Sequence, residues 1–542
     1  MRQGRSTSSG TIASAKARQW SEVRISSPAL DVVVAIGLFG AALAIRLPNL
    51  MLMPAFTDET GEVLHSLPIL HGTSILLTNA DPYYGSLFNY LIAIVFYLFG
   101  PSAEHARLMV TVLGAATVPL VYFFAKAAEG RATGIVAGLM MLTSAALVWN
   151  GHVAWENETT PFFATLTFLV LTLALKRGNG PLLVASGFCF GLTLQTHPGL
   201  VILGAGLLIY FVYSGLRASA LKLPRTLRAW VTSPWPYFTL VGAALSYGNV
   251  IAQSVLHPES GWLAAQRHTY AYVPSQTLDG YLTDLQNFWV MALRMASSSF
   301  DGRGTPADYL LVPINLLYLA VLVAGVWYAF KTGKLLPVIV LFTTGFVLPY
   351  FNKSYGYPMA ARYVGYLFPM LYLLAAAPLA RAVRGIGGQP LTRLYVLLLV
   401  GFLIVAPLIS LVGYYRSQAA SGNTNAGVLA VYDALHRQYL TGDISEVLID
   451  RTVGDELQGG GGTVARSEDY LLTLDGVPHR SVVVTPAELR AALRRAGSRG
   501  LGLIVTVPEF RSLSGQFRLS ALDLPMSGGK GRAKYAGYVV RP

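Results

Sequence analysis

Charge is the scarcest ingredient of this sequence. Asp, Glu, Lys and Arg together supply 12% of the 542 residues, while hydrophobic side chains supply 53%. An ordinary soluble domain carries about 25% charged residues. So little charge cannot cover a water-facing surface of this size, which excludes a soluble enzyme or scaffold. Cysteine is nearly missing as well: Cys189, the only one, sits inside an apolar run, and no internal disulfide can form. No segment of the chain repeats another. The glycine run 459–462 is not followed by Lys-Ser/Thr, so it reads as a flexible loop and not as a phosphate cradle.

The charge that remains is lopsided, +13 at neutral pH. A basic surface can attract nucleic acid. Here, however, Lys and Arg fall in short links between apolar runs, where the cytoplasmic loops of membrane proteins collect them. The implied partner is a lipid bilayer and no nucleic acid. Apolar runs long enough to cross a hydrocarbon core, about 20 residues, recur over the first 413 residues. They read as spans at roughly 29–47, 106–126, 132–150, 160–175, 181–196, 198–213, 236–256, 308–330, 335–351, 360–380 and 392–413. The first has no small-residue cleavage site after it and reads as an anchor.

The segment 86–99 is short for a span and reads as a helix lying in the interface. With that reading, the N-terminal Arg/Lys cluster, Lys126 and Arg131, Lys176 and Arg177, the run Arg217 to Arg228, Lys331 and Lys334, and Arg381 to Arg393 all share the cytoplasmic side. The expected fold class is a polytopic α-helical membrane protein of about eleven spans with a small extracytoplasmic C-terminal α/β domain. Residues 1–28 read as a disordered cytoplasmic tail, 29–413 as the transmembrane domain, and 414–542 as the outer domain, in the inner or plasma membrane. In that last domain a helix at 425–440, strands at 446–450, 481–485 and 501–507, and a helix from Pro486 are predicted. Thr485 and Glu488 have the spacing of a capping box for that helix.

The opposite face then collects the loops 48–105, 151–159, 257–307 and 352–359. Asp58 and Glu59 follow the first span, with Glu62, His65 and His71 in the same loop. Glu156 and Glu158, in WENET, emerge on the same face. Carboxylates converging from separate loops suit general-base catalysis or binding of a divalent cation. His197, in LQTHPGL, lies at an outer turn. Arg362 opens the tenth span in YGYPMAARYVGYLFP, preceded by Lys353, Tyr355 and Tyr357. A guanidinium at that depth can snorkel to headgroups, or grip a lipid-linked phosphate through paired hydrogen bonds.

These segments, in this order, resemble a known family. TDE after span one, DPYYGSLFNYLIAIVFYLFGPSAEHARLMVTVLGAATVPLVYFFAKAAEGRATGIVAGLMM, an acidic loop, LTLQTHPGL and ARYVGYLFPMLYLLAA look like the GT-C glycosyltransferases of the protein O-mannosyltransferase and aminoarabinose-lipid A transferase type. The resemblance spans about residues 30–380 and implies the GT-C fold. It implies Asp58 as the catalytic residue with Glu59 in the catalytic set as a neighbour that tunes the site, Glu156 or Glu158 as the second-loop acid, and Arg362 as a ligand of the carrier phosphate. Lys353, Tyr355 and His197 are expected to share the binding of substrate. Many relatives carry His or Lys where Asp81 precedes Pro82, which removes a possible phosphate contact, and many carry Lys where His197 stands. The implied partners are a polyprenyl-phosphate sugar donor and an extracytoplasmic acceptor. The implied reaction is inverting transfer of the sugar, with no cofactor required and a divalent cation possible. The rival expectations are a multi-pass transporter and a non-catalytic envelope-assembly subunit. A transporter places ionisable groups near the bilayer midplane, often between repeated halves, whereas the acidic residues here cluster at span ends.

Overall fold

The computed structural model describes residues 28–53, 55, 57–219, 223–259, 277–299, 312–351, 364–385, 390–421, 425–451, 453, 464–522 and 535–541. The N-terminal tail before Pro28, the glycine run 459–462, Lys353, Tyr355, Tyr357 and Arg362 lie outside the described residues.

Apolar runs without interruption become helices because, in hydrocarbon, only a helix satisfies its own backbone. Among the described residues, seven helices are long and apolar enough to cross a membrane: Pro28–Arg46, Ala103–Glu129, Glu156–Arg177, Pro198–Ala218, Pro313–Thr332, Gly365–Arg384 and Pro390–Ala420. The pair Trp235–Ser246 and Gly248–Leu256, bent by 66°, makes eight if counted as one span. The remaining expected spans are present as shorter apolar helices, Arg131–Thr143, Gly180–Thr196 and Leu336–Phe351. The chain is a multi-pass membrane protein. Leu87–Phe99, read from the sequence as an interfacial helix, is helical over 13 residues.

Punctuation sets the boundaries. Asn179 caps the next helix by accepting the Leu182 N–H at 2.9 Å, after Gly178 has ended the preceding one in the left-handed conformation, φ 59°. The GFCFG segment that follows brings two backbones together. A Cβ at Gly187 would strike the Thr239 carbonyl oxygen, and one at Gly191 the Ser246 hydroxyl, which is how small residues four apart pack membrane helices.

The structure corrects the reading of 257–307 as a loop. Leu278–Ser297 is a helix of 20 residues, N-capped by Thr277, and it packs against Leu336–Phe351 and Pro313–Thr332. Its first half, with Asp279 and Asp284, is largely exposed, while Phe288, Met291, Leu293 and Met295 of its second half are buried.

The C-terminal segment folds as expected into helices around a mixed five-stranded sheet of order β2-β1-β3-β5-β4. The strands are β1 Ile444–Asp450, β2 His479–Val482, β3 Gly500–Thr506, β4 Leu519–Ala521 and β5 Tyr535–Val540. β1 pairs parallel with β2 and β3, and β5 pairs antiparallel with β3 and β4. Alternation along the strands divides two faces. Leu448, Leu501, Leu503 and Val505 pack under Pro486–Ala496 and Val507–Ser514. Val447, Ile449 and Ile504 face Ala426–Leu440 and Val464–Leu474. The cap at Thr485 forms in its forward half, Glu488 N–H to Thr485 Oγ1 at 3.2 Å, but the Glu488 carboxylate turns to Arg480 instead. The complete capping box is at Thr506 and Glu509.

Candidate active site at the first-loop helix

Thr57–Leu64 is a helix of eight residues, so Asp58 and Glu59 point about 100° apart. Asp58 is exposed in the first turn, where the positive end of the peptide dipoles favours a carboxylate. Glu59 is fully buried. It forms a two-pronged ion pair with Arg107, Nε to Oε1 at 2.7 Å and Nη2 to Oε2 at 2.9 Å. Arg107 Nη1 also donates to the carbonyl oxygens of Leu50 at 3.1 Å and Met53 at 2.9 Å. One guanidinium thus fastens both the approach to the loop and its first helix to Ala103–Glu129.

One turn on, Glu62 faces the acidic loop. Its Oε2 accepts the Glu156 backbone N–H at 2.8 Å, and its own carbonyl accepts from Asn89 at 2.8 Å. The Glu156 side chain is fully buried and accepts from Asn79. Glu62, Asp81 and Asp58 all act on it electrostatically. Glu158 is buried too, and its Oε1 accepts the Trp155 indole N–H at 2.9 Å. His197 Nδ1 accepts the Gly199 N–H at 3.0 Å, which leaves Nε2 to carry the proton in the neutral ring. Tyr84 meets the His197 ring edge-on at 5.7 Å.

The stretch 77–87 joins these groups. Gly85 N–H bonds the Gln195 carbonyl at 2.9 Å and Leu87 N–H the Gln195 side chain at 3.2 Å. Asn249, just past the 66° bend, donates to Gln195 Oε1 at 2.9 Å and to the Leu77 carbonyl at 2.9 Å. So Asp58, Glu156, Glu158 and His197 share one end of the bundle. Lys353, Tyr355 and Arg362 fall outside the described residues, yet the chain on either side of them is at this end. A Cβ at Gly199, beside His197, would lie 3.7 Å from Leu348, and one at Gly365 would lie 3.3 Å from Pro161.

Sequence reasoning missed Arg107, Asn79, Gln195 and Asn249. Arg107 left a signal, a lone cation where AEHARLMV enters an apolar helix. Among the described residues, no group of three His, Cys, Asp or Glu side chains is placed to hold a metal ion. Nearby, His152, in the turn after Ala145–Asn150, ties that turn to two helices. Its Nε2 lies 2.6 Å from the Arg46 carbonyl oxygen and its Nδ1 2.8 Å from the Tyr415 hydroxyl. A carbonyl only accepts, so Nε2–H donates and Nδ1 accepts from tyrosine; burial pushes this imidazole down to about 4.

Comparison with known proteins sets this geometry in context. Residues 85–247 match the family model described as dolichyl-phosphate-mannose-protein mannosyltransferase, a segment that holds Glu156, Glu158 and His197. The fold is similar to ArnT from Cupriavidus metallidurans bound to undecaprenyl phosphate, with a TM-score of 0.53 at 14% identity, covering 94% of this chain and 97% of that one. The apo state of the same ArnT gives 0.52 at 14% identity, covering 97% and 98%. At that identity the likeness is one of fold. No curated protein matches the chain by sequence.

Proposed function

We propose that this chain, a member of the GT-C glycosyltransferase superfamily, moves a sugar from a polyprenyl-phosphate donor to a hydroxyl acceptor, with Asp58 as the general base. The acceptor oxygen attacks the anomeric carbon with inversion as Asp58 takes its proton. The bond from that carbon to the phosphate oxygen breaks, and the pair of electrons leaves with the polyprenyl phosphate. That leaving group is already anionic and needs cationic stabilisation, not a general acid. Arg362, with Lys353, Tyr355 and His197, is proposed to supply it. A single phosphate leaves, so the reaction as written needs no metal.

The observation that carries this reading is the sorting of the carboxylates. Glu59, Glu62, Glu156 and Glu158 are all buried, and each engages a donor at or near hydrogen-bonding range. Asp58 faces outward at a helix N-terminus, as a base that must meet an acceptor requires. Glu59 is accordingly assigned to holding that helix, not to tuning the chemistry. Orientation follows from charge: Lys126, Arg131, Lys176, Arg217 and Lys334 all sit at the helix ends remote from Asp58. The positive-inside rule then puts Asp58 and the C-terminal domain on the extracytoplasmic side. A transporter reading gains nothing from the ion pairs, because Glu59–Arg107 and Asp31–Arg131 lie at opposite ends of the bundle.

The test is transfer of labelled sugar from synthetic polyprenyl-phosphate donors by purified protein. Asp58→Asn is expected to lose about 10²- to 10⁴-fold in rate while binding donor as before. A wild-type rate in that variant removes Asp58 as the base. Mass spectrometry of envelope glycans and glycoproteins from a deletion strain would name the sugar and the acceptor.

A further inference from the structure

The C-terminal domain does not stand apart from the membrane domain. Its helix Val464–Leu474 packs against Thr57–Leu64, and one hydrophobic cluster runs through both. That cluster joins Val63, Phe88, Ile92 and Val110 of the membrane domain to Val431, Leu435, Tyr470 and Leu472 of the outer domain. The backbone is bridged as well, Asn425 N–H to the Leu52 carbonyl at 2.8 Å. At the centre of the contact Tyr470 is 1% exposed, within electrostatic reach of both Glu59 and Arg107. Its hydroxyl has no hydrogen-bond partner among the described residues. The ring therefore lies beside the ion pair that fixes the Asp58 helix.

We infer that the C-terminal domain acts as a clamp on the first-loop helix, with Tyr470 as the positioning residue that seals the Glu59–Arg107 pair and so aims Asp58. Three features support a clamp over a tethered module. The seal excludes water from an ion pair whose strength depends on low polarity. The helix it covers has only eight residues, too few to hold its own shape unaided. And the polar anchors of that helix, Arg107 on Glu59 and Asn89 and the Glu156 N–H on Glu62, all belong to the membrane domain, which leaves its outer side to Val464–Leu474. Tyr470 touches no reacting atom in this scheme; it acts through the helix it covers. The consequence for turnover rests on the reading of Asp58 as the base, whereas the clamp itself does not.

Two measurements on the full-length protein separate the two. In hydrogen-exchange mass spectrometry of the wild type, residues 57–64 are expected to be protected to the same degree as 464–474. Tyr470→Ala is expected to raise exchange in 57–64 roughly tenfold or more, with the spans unchanged. Its kcat is expected to fall roughly 10- to 100-fold with KM for the donor within about twofold, because donor grip lies elsewhere. Tyr470→Phe, which keeps the ring, is expected to restore both. A mere folding defect would lower the yield of active protein without this split. If 57–64 exchanges freely in the wild type, or stays protected in Tyr470→Ala, the clamp is wrong. Loosened 57–64 with undiminished kcat overturns the aiming of Asp58. Asp58→Asn, assayed alongside, reports on the base assignment alone.

Discussion

Adjacent carboxylates with opposite fates give the sharpest test. Glu59→Gln strips the counter-charge from a guanidinium that is 1% exposed, and breaking a buried pair by removing one partner typically destabilises by about 3–5 kcal/mol. Arg107→Met should be worse. It strands the Glu59 carboxylate and also removes the donor to the Leu50 and Met53 carbonyls, at about 1–3 kcal/mol for each group left unsatisfied. The double variant removes both charges together, so it should be markedly more stable than the sum of the singles predicts. Asp58→Asn, an exposed change, should shift stability by no more than about 0.5 kcal/mol. The assay is the thermal midpoint of detergent-purified protein beside the transfer rate per folded molecule. The expected pattern is crossed: Glu59→Gln loses stability first, and Asp58→Asn loses rate alone. A Glu59→Gln protein that melts like wild type but transfers no sugar would move the chemistry to Glu59 and refute the sorting of the two residues.

Other outcomes can be stated. Arg362→Ala should weaken use of the donor by about 2–5 kcal/mol, and Arg362→Lys should recover only part, since the planar fork is lost; undiminished donor turnover removes Arg362 from the site. In a Cys189→Ser background, an impermeant thiol reagent outside intact cells should reach cysteine at exposed Ser74 and Ser514 but not at Lys331; the reverse pattern inverts the topology. His152 is held at about 4 when folded, against an ordinary 6.5. Its neutral form therefore contributes stability that is intact above about 6.5 and lost as pH falls toward 4, about 3 kcal/mol at most. The thermal midpoint should thus fall less between pH 7 and 5 in His152→Gln than in wild type, and equal slopes would dismiss the effect.

The spans were legible because a membrane core imposes length and apolarity on each crossing, so Ala103–Glu129 and Pro313–Thr332 announce themselves. Leu278–Ser297 did not, because its apolar run is confined to the second half and the first half carries Asp279 and Asp284. In the C-terminal domain, short apolar runs located β1 and β3, and the turn chemistry at Thr485 located the helix after it. For the site, the sequence brought Asp58, Glu156, Glu158 and His197 to one end, where they lie. It could not separate Asp58 from Glu59, since neighbours in sequence diverge only once helical geometry and the distant Arg107 are known. Nor could it connect Tyr470 with a loop some four hundred residues earlier, a contact made purely by packing between domains.

The helix Ala103–Glu129 is fastened twice. Near one end Arg107 holds Glu59, and near the other Lys126 holds Asp31. The two fastenings are 19 residues apart along the helix, about 28 Å, close to the hydrocarbon thickness of about 30 Å. This rod is therefore a gauge set to its bilayer. In a thicker or thinner membrane it must tilt, or flex where Pro119 interrupts its ladder, and either motion carries the Asp58 helix with it. On the proposed chemistry, acyl-chain length, a property of the surrounding lipid and of no substrate, is then expected to act on the transfer rate.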